Sequence, residues 1–131
     1  MSSVYTPTLV AALCHVRAAS VSCGAAHTLV ATAVIETAVG QGPDRMKLTT
    51  GGSVYAAGSA SALGIAHSEF ALVQQLEGLA VRHVSAGYAH SAVISGEGEL
   101  YTWGNNRGGC CGHPLIVKFQ KTPACVEALY K

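Results

Sequence analysis

An all-β fold of about two repeated units, each an antiparallel sheet of three or four strands, is what this sequence predicts. Three observations carry the expectation. The stretch LCHVRAASVSCGAAHTLVA (13–31) returns 63 positions later, without a gap, as LEGLAVRHVSAGYAHSAVI (76–94). GGSVYAAG (51–58) returns 46 positions later as EGELYTWG (97–104). The segments inside these copies are short, rich in small and β-branched residues, and bounded by glycine, which is the signature of strands and tight turns.

The two offsets define the unit. Leu13, Val21, Ser22, Gly24, Ala26, His27 and Val30 answer Leu76, Val84, Ser85, Gly87, Ala89, His90 and Val93. Tyr55 and Gly58 answer Tyr101 and Gly104. The drop from 63 to 46 places about 17 extra residues in the first copy, within 33–50. TPTLVAAL (6–13), EFALVQQL (69–76) and TPACVEAL (122–129) align as a third landmark and mark the unit boundaries. The chain therefore divides into 1–68, a first unit with the 33–50 insertion; 69–121, a second unit; and 122–131, the start of a third.

In the second unit, 84–86 and 91–95 read as strands. Residues 99–103 alternate, with Glu99, Tyr101 and Trp103 on one face and Leu100 and Thr102 on the other. Gly96-Glu97-Gly98 between them is a hairpin turn. The boundary segment holding Val126 and Leu129 supplies a fourth strand or a docking turn. A repeat of about 50 residues with this order is a propeller blade. A lone blade leaves a face and its edges uncovered, so two blades call for neighbours: further blades or further subunits.

Composition agrees. Charged residues are 11% of the 131, against about 25% in an ordinary soluble domain, as if part of the surface were covered by more protein. The formal net charge is +1 and no Lys/Arg run exists, so the basic stripe that tracks a phosphate backbone is missing and direct nucleic-acid binding is disfavoured. No basic residue precedes the short apolar run 9–14, which argues against a signal peptide and a membrane helix. Five cysteines without a secretory signal read as reduced thiols in the cytoplasm or nucleus.

The residues carry a family likeness. Val84-Ser-Ala-Gly-Tyr-Ala-His90, then Gly98-Glu-Leu-Tyr-Thr-Trp-Gly-Asn-Asn106 and Gly109-Cys-Cys-Gly112, resemble the regulator of chromosome condensation repeat, and Cys23-Gly24-Ala-Ala-His27-Thr28 resembles its first half more closely still. The resemblance implies a β-propeller, typically a seven-bladed ring of which this chain supplies about two blades. The first copy departs from the pattern: Ala57 stands in the Trp slot, the Asn is missing, and the turn to Gly64 is two residues shorter than the turn to Gly112. A kelch-type blade is the rival fold, mimicked by Gly51-Gly52-Ser-Val-Tyr55, but the Gly-x-x-His and Trp-Gly-x-Asn elements fit it less well.

The singled-out residues are structural landmarks: Gly24, His27, Gly58, Gly64, Gly87, His90, Trp103, Gly104 and Gly112. Histidines recurring at one blade position are expected to satisfy backbone groups, and Trp103 to pack between blades. The insertion concentrates polarity in Asp44, Arg45 and Lys47; it reads either as a tolerated surface excursion, since a long loop costs little closure entropy, or as the candidate partner-contact loop. No acid/base pair, triad or metal quartet emerges, so no enzyme activity and no cofactor are expected. Cys110, Cys111 and His113 invite a metal or redox reading, yet adjacent sulfurs should diverge, and Cys111 falls in the slot filled by Leu63 in the first copy, where a thiol serves as a small buried hydrophobe. The function expected is protein-protein interaction, as a scaffold or regulatory module. What the resemblance adds is a possible exchange factor for a small Ran-like GTPase, or a chromatin-associated regulator. A truncated piece without independent function is the remaining alternative.

Overall fold

The computed structural model describes residues 7, 9–40, 42–44, 46–59, 67–114 and 117–126. Ten strands occur among these residues: β1 (Ala18–Cys23), β2 (His27–Thr32), β3 (Val34–Val39), β4 (Met46–Gly51), β5 (Val54–Gly58), β6 (His67–Leu72), β7 (His83–Ala86), β8 (His90–Ile94), β9 (Leu100–Asn105) and β10 (Phe119–Cys125). Short 3-10 turns at 11–13, 42–44, 74–76 and 107–109 complete the regular structure, and no α-helix occurs among the described residues. No helix there is long and apolar enough to cross a membrane.

The strands form two antiparallel four-stranded sheets, ordered β1-β2-β5-β6 and β7-β8-β9-β10. Their registers repeat at the two sequence offsets: Val21 pairs with Val30 as Val84 pairs with Val93, and His27 pairs with Gly58 as His90 pairs with Gly104. The fourth strands, β6 and β10, come from the boundary segments. The 68/69 and 121/122 boundaries thus fall inside strands, β6 (His67–Leu72) and β10 (Phe119–Cys125), each of which completes a sheet.

Alternation on the strands builds the core. Leu29 and Ala31 on β2, with Val54 and Ala56 on β5, are buried on one face of the first sheet. Facing them are Val93 and Trp103 of the second sheet, with Val84, Ala86 and Tyr101 packed alongside. Leu76 and Val81, from the segment joining the sheets, seal the layer. Among the described residues the one large apolar core therefore lies between the sheets, and each sheet's other face has no partner sheet. Val21 is 64% exposed, whereas its counterpart Val84 is half-buried; Ile94 is 40% exposed, whereas its counterpart Ala31 is 2% exposed.

The 33–50 insertion is a third element. β3 and β4 pair antiparallel over six residues each, from Val34↔Gly51 to Val39↔Met46. This hairpin leaves the first sheet at the corner where the second sheet makes the tight turn Ser95–Glu99.

Candidate functional site

Two features of this framework bear on function: the joint between the sheets and the hairpin projecting beside it. At the joint, each Gly-x-x-His segment closes its turn by the same backbone bond, Gly24 N–H to His27 O at 2.7 Å and Gly87 N–H to His90 O at 2.9 Å. The His27 ring then crosses to the second sheet, where Nε2–H donates to the His90 carbonyl at 3.1 Å. Ser22 Oγ crosses in the same direction and accepts the Ala86 N–H at 2.9 Å. Gly24 is what permits this approach: a Cβ there would stand 2.3 Å from Gly87 O and 2.3 Å from His27 Cε1.

On the far side of the second sheet, Ser85 and His90 occupy the places of Ser22 and His27. Ser85 is exposed and His90 half-buried. The His90 ring lies against the bare Cα of Gly87, as His27 lies against Gly24. The second sheet thus presents the same hydroxyl and imidazole that the first sheet uses to grip its neighbour.

With Nε2–H engaged, His27 Nδ1 is the unprotonated nitrogen, and it is buried with no hydrogen-bond partner among the described residues. Burial pushes the His27 pKa below its ordinary 6.5, the bond to the His90 carbonyl opposes that shift, and the charge of His90 adds to it. The unfolded chain therefore binds a proton here more readily than the folded one. Stability is fully present above the ordinary histidine range and falls as pH drops through it toward the depressed folded value. Thermal midpoints measured from about pH 7.5 to 5.5 are expected to fall, and His27→Gln, which keeps a donor but cannot titrate, is expected to flatten that slope.

The hairpin is fastened at its base by a bond the two sheets share. Thr32 Oγ1 accepts the Ser53 N–H at 2.9 Å, and Ser95 Oγ accepts the Glu99 N–H at 3.1 Å. These pairs are 63 and 46 positions apart, so β3–β4 is inserted into an otherwise retained corner. The segment entering the second sheet braces it at Gly52, whose carbonyl accepts the Val81 N–H at 3.0 Å; the same segment also holds the second sheet's own turn, Gly96 N–H donating to Leu79 O at 3.0 Å. Between these bonds Ala80 sits at φ +50°, and a Cβ on Gly52 would come within 2.7 Å of its backbone. Arg82 reaches across to Glu36 on β3 at 3.1 Å, an exposed pair. A cleft of about 480 Å³ opens between hairpin and second sheet, with Glu36, Glu97 and Glu99 set against Arg82 on its walls.

Of the residues expected to contact a partner, Arg45 lies outside the described residues, as do the side chains of Asp44 and Lys47. Gly64 also lies outside them. Trp103 is 1% exposed in the core between the sheets, and Gly112 ends the 107–112 turn against Val126 Cγ1.

That turn brings a correction and a residue the sequence reading missed. The Cys110 and Cys111 sulfurs do not diverge: both donate to the Asn105 carbonyl, at 3.0 and 3.3 Å. The turn curls around a single acceptor, which overrides the alternation that a strand would impose. Cys111 is buried and Cys110 exposed. His113 Nε2 is occupied by Thr102 at 2.9 Å, and among the described residues no three His, Cys, Asp or Glu side chains converge as a metal site would require. The missed residue is Asn106, fully buried. Its Nδ2 donates to the carbonyls of His113, Pro114 and Val117, and its Oδ1 accepts the Cys111 N–H. The Trp-Gly-x-Asn motif was the available signal.

Two models of the regulator of chromosome condensation (RCC1) repeat match this chain, over residues 81–112 and 97–131. The chain carries regulator of chromosome condensation repeats. Relatives of the repeat extend the match across the first copy. The human E3 ubiquitin-protein ligase HERC2 is 33% identical over 97% of this chain and 2% of its own length. The Arabidopsis thaliana ultraviolet-B receptor UVR8 is 30% identical over 85% of this chain and 23% of its own. The dog X-linked retinitis pigmentosa GTPase regulator is 33% identical over 85% and 10%. The chain thus spans less than a quarter of each of these proteins.

Solved structures agree on the fold. Yeast RCC1 (Prp20), crystallised with Kap60, superposes with a TM-score of 0.64 at 16% identity, covering 86% of this chain and 25% of that one. Human WBSCR16 superposes at 0.61 and 22% identity, covering 85% and 25%. The two sheets are RCC1-type propeller blades, and the joint described above is the contact between them.

Proposed function

We propose that this chain is a protein-binding module whose blades form a rigid base for the β3–β4 hairpin, and that the hairpin and its cleft are the surface a protein partner reads. The observation that carries the proposal is the hairpin's seating. It interrupts a corner that the second blade closes in five residues, yet it is held by the backbone bond from Val81 to Gly52 at its base and by the Arg82–Glu36 pair. A merely tolerated excursion has no need of such bracing. The carboxylates on the cleft walls favour a partner with a basic patch. Further blades or subunits would dock on the opposite side, through Ser85, His90 and the exposed Ile94. The relatives suggest a scaffold within a larger regulatory protein.

A second reading is supported by the same hairpin: nucleotide exchange on a small Ran-like GTPase, or association with chromatin proteins. Prp20p of Saccharomyces cerevisiae, which has binding properties toward Gsp1p and histones, superposes in its own crystal structure with a TM-score of 0.61. Both readings are tested with a chain in which residues 33–52 are replaced by Gly-Glu-Gly, the second blade's own turn. The variant is expected to fold, because the Thr32 and Ser53 bond closes the corner and an exposed ion pair such as Arg82–Glu36 is worth less than about 1 kcal/mol. Calorimetric titration of both chains with a Gsp1p-type GTPase and with histones should give binding that the shortened chain loses. Release of fluorescent GDP from the loaded GTPase separates exchange from simple binding. Equal affinity of the two chains for any partner that binds would remove the hairpin from the site.

A further inference from the structure

We propose that Cys110 and Cys111 form a vicinal dithiol site that reacts with peroxides to close an internal disulfide. Among the described residues their placement is unlike that of the other free thiols. Cys14 and Cys23 are exposed on the first blade, and Cys125 lies at the end of β10. Cys110 and Cys111 both donate to one carbonyl oxygen, that of Asn105, at 3.0 and 3.3 Å. The two sulfurs are therefore neighbours in space as well as in sequence.

Their environments divide the labour. Cys110 is exposed, and the His90 Nδ1 stands 3.9 Å from its sulfur, placed to take its proton. Cys111 is 1% exposed, and burial pushes its thiol up to about 11, so it stays protonated and shielded. The exposed thiol meets the oxidant first. Its sulfur attacks hydrogen peroxide, the O–O bond breaks, and Cys110 sulfenic acid and one water result. The Cys111 sulfur then attacks the Cys110 sulfur. The S–S bond forms, the S–O bond breaks, and the hydroxyl leaves with the Cys111 proton as a second water. Two thiols are oxidised and one peroxide is reduced to two waters. A small thiol reductant restores both by exchange.

The site also touches the blade-docking apparatus. His90 is the counterpart of His27, whose Nε2 grips the neighbouring blade, and Cys110 lies on its Nδ1 side. Oxidation at Cys110 would therefore be felt by the imidazole that a further blade would engage.

The test uses the native full chain. After brief hydrogen peroxide treatment and trypsin digestion, peptide 108–118 holds both cysteines. It is expected to be lighter by two hydrogen atoms and to resist iodoacetamide until reduced. Cys111→Leu, which places in the slot the leucine the first copy has there, should instead accumulate a Cys110 sulfenic acid that dimedone traps. Cys110→Ser should leave Cys111 reduced under the same treatment. A trivalent phenylarsenical, which bridges two neighbouring sulfurs, should bind the untreated native chain once and bind neither variant. Oxidation of Cys110 to sulfinic acid or to an intermolecular disulfide, with no internal bond in peptide 108–118, would overturn the proposal. So would arsenical binding that survives Cys110→Ser.

Discussion

Trp103→Ala is expected to leave the chain largely unfolded at room temperature. The indole is the largest fully buried side chain among the described residues. It stands on β9 and fills the layer between the blades, in the cluster with Leu29, Ala31, Val54, Ala56 and Leu76. Truncating a buried tryptophan to alanine costs about 3–5 kcal/mol, part lost transfer energy and part cavity. A domain's entire stability is about 5–15 kcal/mol, and here that layer is the main apolar core, so the blades lose their chief reason to stay together. Because Trp103 is the chain's sole tryptophan, unfolding must be followed by circular dichroism in urea. The matched control is Ala57→Trp. Ala57 holds the same slot in the first blade but points to the face opposite Val54 and Ala56, which no sheet covers among the described residues. That change is expected to shift the urea midpoint little. A midpoint for Trp103→Ala close to that of the parent chain would mean that the layer between the blades is not what holds them.

The repeat was legible because offsets of 63 and 46 are set by backbone pairing, and pairing leaves a trace in every strand. The Thr32–Ser53 and Ser95–Glu99 bonds fall on those same two offsets. Other features were harder to read, each for a physical reason. The insertion reads as a polar loop, yet Val34–Val39 and Met46–Gly51 pair as strands, because β-branched residues gather on both sides of the sequence Gly40-Gln-Gly-Pro43. Its side chains gave no alternation to betray it, since a hairpin with no sheet beneath it has no face to keep apolar. The boundary segment left two readings open, a fourth strand or a docking turn, and the strand is what β6 and β10 form. The direction of the Cys110 and Cys111 sulfurs depends on a turn geometry that a residue pattern does not encode. The blade-to-blade role of His27 was half visible. Its recurrence as His90 pointed to a structural post, but not to a bond from one blade's ring to the next blade's backbone.

Asn106→Ala is expected to cost about 2–4 kcal/mol, more than most single polar truncations, since each buried group left without a partner costs roughly 1–3 kcal/mol. Asn106 is 0% exposed and ties Cys111, His113, Pro114 and Val117 to the end of β9. Its amide donates at 3.3, 3.1 and 2.6 Å to three carbonyls and accepts at 3.0 Å from the Cys111 N–H. Alanine strands all of these at once, and water must enter to satisfy them. Asn106→Asp distinguishes the two halves of the job. It keeps the acceptor for Cys111 but brings a carboxylate against three carbonyl oxygens, so it is expected to be at least as damaging as alanine. If the acceptor were the dominant contact, aspartate would instead rescue most of the loss. Two readouts check this: the urea midpoint by circular dichroism, and the rate at which the Cys111 thiol reacts with iodoacetamide. In the parent chain Cys111 is buried and is expected to react slowly. Releasing the turn exposes it, so the alkylation rate should rise in both variants together with the loss of stability. A variant that lost stability while Cys111 stayed shielded would show that the turn is held instead by the Thr102 hydroxyl on the Cys111 carbonyl. In that case the role of Asn106 would lie in fastening Pro114 and Val117, beyond the turn.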